Sequence, residues 1–504
     1  MLTFIKNARV LTMDDEDREY PIANILIRDS IIEAIGPDVA LPVGSEQVKV
    51  IDAAGKLIMP GVTNAHFHSL MNLNKGLKGG PLSVAVLFMY AMAKDAPETA
   101  LDPAIRERIS YVVTALGNIE MLRRGVTNVV EDAYYFPITE AAVNGTMKAY
   151  TDSGLRATIS LAQWSEPDYR QLAFAEELLP AETKAEMDGF AAQKPLSLIK
   201  DNYRKYIEKW HDTAGGRIHT SVSISAPERC TCEHILAASE IASEYGVMLD
   251  SHALEAKYQR VLSQQRWGKS AIAHMDDLGI LNDRVHLNHT VWVDDRDIEI
   301  LAGRGCSVSH NVHCNIFAGS GVMPFRKMYD AGIPIGIGVD EVDADGTCNP
   351  WGVAKTALFV QHTTDPDWMA WADASHFLHC LTRGGASGTG RKNEIGMLAP
   401  GYKADLIMID LETIAFIPLR DLKAQLLQGD IGQSVVMTMI DGKVAMENGV
   451  VKNFDEQAVF GEVKEIASYA MPELPTLEKL FPVWREAQLR AEKSDVGFQR
   501  LLHD

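Results

Sequence analysis

An α/β fold, a (β/α)8 TIM-like barrel with a small β-sandwich formed by both chain ends, is what the 504-residue sequence predicts. Three observations carry this. Short apolar runs alternate with helical stretches from about residue 59 to 395, period-two segments occupy both chain ends instead, and several of the apolar runs end in histidine or aspartate. Repeated strand-then-helix units call for a parallel barrel, whose chemistry gathers at the C-terminal ends of the strands.

Residues 1–58 contain LTFIKNARVLTM, NILIRDSIIEAIG and VKVIDAAGKLIMP, alternating runs punctuated by Gly, Asp and Pro that read as short antiparallel strands. Eight barrel runs follow within 59–395: GVTNAHF, GVTNVVEDA, LRATISLA, IHTSVSIS, GVMLDSH, RVHLNHT, GCSVSHN and IPIGIGVD. Amphipathic stretches such as CEHILAASEIASEY and DRDIEILAGR lie between them. The short-strand pattern returns over 396–455 in IGMLAPGYKADLIMIDLE and VVMTMIDGKVAMENGVV. Neither end segment is large enough to hold its own core, so the two are expected to pair as one sandwich. Residues 456–504 read as a helical tail, with TLEKLFPVWREAQLRAEK its clearest run, suited to docking or oligomerisation.

Composition narrows the function classes. Hydrophobic residues at 46% and charged residues at 23% are ordinary globular usage. A net charge of -20 argues against a nucleic-acid partner, which needs Lys and Arg gathered on one face. Six cysteines in a chain this long make no disulfide framework and point to a reducing, cytoplasmic setting. Cys230 and Cys232 lack the second pair that a structural zinc site requires. The N-terminus has no basic region followed by an apolar core, and no window holds 18 apolar residues in a row, so neither a secretory signal nor a membrane span is expected.

The run ends carry the chemistry. The first ends in His66-Phe67-His68, and alternation along a strand sets residues i and i+2 on one face, so both imidazoles can enter the barrel mouth. The fifth ends in His252, the sixth in His289, the seventh in His310 and the eighth in Asp340. Imidazoles with a carboxylate and open positions are what catalytic zinc or ferrous iron takes. Glu255, three residues past His252, is placed over the metal, where it could carry a proton between water and substrate. His289 could polarise the group under attack. His310 could serve substrate or an outer layer of the site, and His286, an odd step from His289, is expected to face the helices. Tyr134, Tyr135, Trp164 and Trp292 are candidates to stack on a flat ring.

With these residues in place, the chain resembles the amidohydrolase superfamily, in the branch of cytosine deaminase, S-adenosylhomocysteine deaminase, guanine deaminase and the triazine-degrading hydrolases. The resemblance spans about residues 1–450 through PGVTNAHFH, HALE, NHTVW, SHNVHCNIFAGSGVMPFRKMYDAGIPIGIGVD and EIGMLAPGYKADLIMID. It implies His66, His68, His252 and Asp340 as metal ligands and Glu255 as proton shuttle. It further implies that His289 orients nucleophile or substrate and that Asp340 accepts a proton from the metal-bound water. Binuclear members carry a carboxylated lysine on the fourth strand; IHTSVSISAPE has none, so one divalent ion is expected, zinc ahead of iron.

The chain departs from the family at Ser225-Ala226-Pro227, where His-Ala-Pro is common, at Val312-His313-Cys314, where a proline usually stands first, and after Asp340, where Glu341, Asp343 and Asp345 follow. The implied reaction is attack of metal-bound hydroxide on an electrophilic sp2 carbon, with deamination of an amino-substituted nitrogen heterocycle as the first reading. The alternative cleaves an amide, urea, carbamate or carbon-chlorine bond, as in relatives that degrade phenylurea, thiocarbamate or triazine herbicides. A homo-oligomer acting on a small molecule completes the expectation.

Overall fold

The computed structural model describes residues 1–42, 44, 48–76, 102–135, 138–191, 194–469 and 480–500. Phe136 and parts of the tail lie outside them. Among the described residues no helix is long and apolar enough to cross a membrane.

Both chain ends feed one nine-stranded sheet. The first end supplies β1 (Leu2–Leu11), β2 (Glu19–Arg28), β3 (Ile31–Gly36), β4 (Val48–Asp52) and β5 (Lys56–Pro60). Eight parallel strands come next: β6 (Val62–Phe67), β7 (Val126–Ala133), β8 (Arg156–Ala162), β9 (Ile218–Ser223), β10 (Met248–Ala253), β11 (Val285–His289), β12 (Ser307–His310) and β13 (Ile335–Ile337). The far end returns to the first sheet as β14 (Leu406–Asp410), β15 (Val435–Ile440), β16 (Lys443–Glu447) and β17 (Val450–Val451).

The two ends meet where β5 pairs antiparallel with β14, from Leu406 opposite Pro60 to Asp410 opposite Lys56, and the Lys56 ammonium reaches Asp410 at 2.6 Å. Ile5, Val10, Ile25 and Ile58 from one end share a core with Leu406, Met437 and Met439 from the other. The sandwich is therefore one continuous sheet folded over a joint core, which explains why neither end would hold alone.

In the barrel each strand pairs in parallel with the next in sequence, and the chain after β13 closes the ring on β6. Asp340 N–H donates to His66 O at 2.9 Å, and Val339 N–H to Asn64 Oδ1 at 2.9 Å. Gly338 permits this approach: a Cβ there would stand 2.2 Å from Asn311 Oδ1 and 2.7 Å from His66 Cβ. Closure thus sets Asp340 directly beside His66.

An ion pair fastens barrel to sheet. Arg156, at the start of β8 and 1% exposed, donates to Asp405 at 2.5 Å and to Asp441 at 2.7 Å. Arg156→Met is expected to cost about 3–5 kcal/mol, since Asp405 would be left buried and unpaired. Thermal denaturation checks this, and a shift within error would show that water replaces the guanidinium.

The described parts of the tail dock on their own barrel. Ile466 of the helix Glu456–Tyr469 packs against Val112 and Val113. In the helix Phe481–Lys493, Trp484 is buried among Leu172, Tyr258 and Val261. Arg500 then donates to the carbonyls of Val291 and Val293.

Candidate metal centre and active site

Four imidazoles and one carboxylate converge at the C-terminal mouth of the barrel. The His66 ring centroid lies 4.6 Å from that of His68, 4.8 Å from His252 and 5.6 Å from His289. Asp340 Oδ1 is 3.4 Å from His66 Nε2 and 3.2 Å from His68 Nε2, and Oδ2 is 3.6 Å from His289 Nε2. The donor atoms of His66, His252 and His289 lie within 4.8 Å of one another, as do those of His66, His68 and Asp340.

Backbone carbonyls aim the rings. His68 Nδ1 sits 2.6 Å from Asp132 O, and His252 Nδ1 2.9 Å from Ser225 O. With Nδ1–H donating outward, each ring turns its Nε2 to the centre, the arrangement that orients metal-binding histidines. His289 Nδ1 is held at 2.8 Å by Asn315 Oδ1.

Several non-glycine residues here adopt left-handed backbone: Ser225 (φ 56°), Leu254 (φ 50°), His289 (φ 73°), Thr290 (φ 46°) and Asp340 (φ 66°). Such conformations cost energy and gather where geometry serves function. They also correct the expectation for His286. Its Nε2 meets Ala65 O across the barrel at 3.1 Å and its Nδ1 meets Ser307 Oγ at 2.9 Å, so it lies inside the barrel instead of facing the helices. The turn at His289 breaks the alternation on which that expectation rested.

Burial organises the charges. It draws His66 down to about 3 and His252 well below its usual range, which leaves both as neutral donors. Burial acts against ionisation of Asp340 too, yet His289 and His66 hold it well below the ordinary carboxylate range. Glu255 is 4% exposed, and burial pushes its carboxyl up against the pull of His289, whose Nδ1 is 3.7 Å away. Both ring nitrogens of His66 and Asp340 Oδ2 are buried without a hydrogen-bond partner. Buried polar atoms rarely stay unpaired, so this donor set fits a divalent cation.

The other candidates divide. Tyr134 faces the site, its ring 5.1 Å from His68, and Trp164 stands behind it at 6.1 Å with Lys194 Nζ 4.0 Å over the indole. Tyr135 is buried in the apolar core. Glu341, half-buried, follows Asp340 and its charge acts on His68. His310 is buried against Phe325 with its ring drawn down to about 3 by burial, and it joins neither histidine group. Trp292 does not reach the mouth: its N–H donates to Ser320 O at 2.7 Å, and Phe498 from the tail covers the ring.

Two features escaped the sequence reading. Arg229, just past β9, is buried and donates to Tyr134 Oη at 3.1 Å and Ser225 Oγ at 3.0 Å. Glu131 accepts from Tyr150 Oη at 2.6 Å and from Ser69 Oγ at 2.7 Å, anchoring the residue after His68, and burial pushes it up to about 7. The rule that strand ends carry chemistry would have flagged Glu131, near the end of β7, but not Arg229, in the short helix after β9.

Comparison with known proteins shows the family and the fold. Residues 57–445 match the amidohydrolase family. The 5'-deoxyadenosine deaminase of Methanosarcina mazei is 30% identical over 92% of this chain and 97% of its own length. The 5-methylthioadenosine/S-adenosylhomocysteine deaminase of Symbiobacterium thermophilum is 30% identical over 92% and 98%. Among solved structures, atrazine chlorohydrolase from Arthrobacter aurescens TC1 complexed with zinc superimposes with a TM-score of 0.81 at 23% identity, over 92% of this chain and 100% of that one. An adenosine deaminase from Xanthomonas campestris with bound zinc gives 0.77 at 22%, over 93% and 98%. On the family match and the relatives that run its length, the chain belongs to the amidohydrolase family.

Proposed function

We propose that this chain is a metal-dependent aminohydrolase that removes an amino group as ammonia from a nitrogen-containing ring, an adenine nucleoside being the first substrate to test. The observation that carries the reading is that the donors of His66, His68 and Asp340 lie within 4.8 Å of one another, as do those of His66, His252 and His289, with the His66 nitrogens and Asp340 Oδ2 buried and unpartnered. His66, His68, His252 and Asp340 would hold a single divalent ion, zinc ahead of iron, and His289 stands close enough to join them. When bound, such an ion supplies a Lewis acid and lowers the pKa of water from about 15.7 towards about 7. The relatives named as deaminases support the substrate class.

The chain's own groups do the rest. Glu255, held up by burial, keeps a proton that it can deliver to a ring nitrogen as the carbon is attacked. Asp340 stays anionic and accepts the proton that water gives up. His289, fixed by Asn315, orients the nucleophile or the group under attack. Tyr134 and Trp164 form one wall for a flat ring, and Arg229 braces Tyr134 from behind. Ammonia release from adenosine, 5'-deoxyadenosine and 5'-methylthioadenosine tests the reading, and silence on all amino-heterocycles would count against it.

Ser225 in place of the family's usual histidine favours keeping a second reading, hydrolysis of a urea-like carbon-nitrogen or a carbon-chlorine bond at the same centre. A cytoplasmic homo-oligomer remains part of the proposal.

Metal binding should depend on pH. Burial opposes the charge on His68, but Asp340 pushes it up to about 10, so at neutral pH the ion must displace a proton. Affinity for zinc is expected to fall about tenfold for each unit that pH drops from about 8 to about 6. Competition titrations against a chelator check it, and a constant independent of pH would mean that His68 carries no proton in the ion-free chain.

A further inference from the structure

We propose that Glu255, Cys314 and Asp340 form a second, weaker site for a thiophilic divalent ion of the zinc class, and that filling it inhibits the enzyme. Cys314 lies in the short helix Val312–Phe317 directly after β12, Glu255 on the loop after β10, and Asp340 just past β13. All three are buried, and their sulfur and carboxylate oxygens lie within 4.8 Å of one another.

Asp340 supplies the independent observation. Its Oδ1 faces His66 and His68 at 3.4 and 3.2 Å, whereas Oδ2 lies 3.6 Å from His289 Nε2 and is buried with no hydrogen-bond partner. Oδ1 can therefore serve the centre of His66 and His68 while Oδ2, which no hydrogen bond holds, turns to a neighbouring ion beside His289. Glu255 Oε1 lies 3.7 Å from His289 Nδ1, beyond hydrogen-bond reach, so its acceptor capacity is not consumed there.

The donor set decides which ion fits. Zinc takes sulfur at about 2.3 Å and carboxylate oxygen at about 2.0–2.2 Å, so donors within 4.8 Å of one another must draw in around it. A thiolate selects zinc or its softer congeners over magnesium, calcium or manganese, which prefer oxygen. Binding exchanges two protons, that of Cys314 and that kept by Glu255, both released to solvent, for the ion, and one thiolate with two carboxylates offsets the added charge. The second ion would share Asp340 with the first, on the order of 3.5–4 Å away as in two-metal sites. Repulsion between the two cations makes this site the weaker one.

Once coordinated, Glu255 can no longer hold a proton. The inhibition, unlike the binding, rests on the proton-carrying role proposed above.

Stepwise cobalt(II) titration of the metal-stripped full chain separates the cases. The first equivalent should enter the histidine centre without sulfur absorption. The second should raise a thiolate-to-cobalt charge-transfer band in the near ultraviolet, absent from Cys314→Ser. Glu255→Gln should weaken the second equivalent at least tenfold and leave the first intact. Ammonia release should fall at least tenfold as free zinc rises past one equivalent, and Cys314→Ser should need at least ten times more zinc for the same loss. A second equivalent with no sulfur band, or a band that survives Cys314→Ser, overturns the proposal. A chain that takes one cobalt only sinks the second site and spares the first, and one that takes none sinks both.

Discussion

Glu255→Gln is expected to lower kcat by about 10²- to 10⁴-fold while the chain keeps its divalent ion. Glutamine preserves the shape of the side chain and one oxygen, but it cannot pass a proton from water to a ring nitrogen. The native carboxyl is buried and pushed up towards its protonated form, with His289 as its counterweight, which suits a group that must both accept and give. KM should change little, because the lost interaction belongs to the transition state. Metal analysis beside steady-state kinetics checks both halves. Unchanged turnover would remove Glu255 from the mechanism, and loss of the ion would mean that its carboxylate helps to hold the metal.

His66→Ala is expected to abolish metal content and activity together. His66 belongs to both of the histidine groups whose donors lie within 4.8 Å of each other, so its loss leaves neither intact. Affinity should fall by at least about 10³-fold, more than the roughly 10- to 100-fold cost of losing an outer partner. The ring's polar neighbour Asp340 Oδ1 stands off at 3.4 Å, so folding should survive its removal. A metal-free His66→Ala protein with full activity would defeat the assignment.

The barrel was legible because its apolar runs alternate with helical stretches and several of them end in histidine or aspartate. His66 and His68 sit two apart on β6, and alternation alone puts both in the mouth. All eight apolar runs became strands, even β13, which keeps only Ile335–Ile337. Pairing of the two chain ends followed from the size of each.

What stayed hidden depended on backbone turns or on distant chain. His289 is aimed by a positive φ that no periodicity announces, and this same turn placed His286 inside the barrel. Trp292 read as a stacking aromatic because Phe498 and Arg500, more than two hundred residues later, cover it in a way that no local pattern reveals. Arg229 and Cys314 lie past strand ends, in short helices whose direction only the folded chain sets. Both stand beside the candidate site residues that the sequence names.

The most direct test of the central claim is an ammonia-release assay of the one-zinc protein on adenine nucleosides, aminopyrimidines, pterins and aminotriazines, with aryl ureas and chlorotriazines followed by mass spectrometry. The account predicts ammonia from an adenine nucleoside, one equivalent per substrate consumed, and none from the metal-stripped chain. Ammonia from none of the heterocycles, with amine or chloride released from the second set, would contradict it and show that the same centre expels a different leaving group.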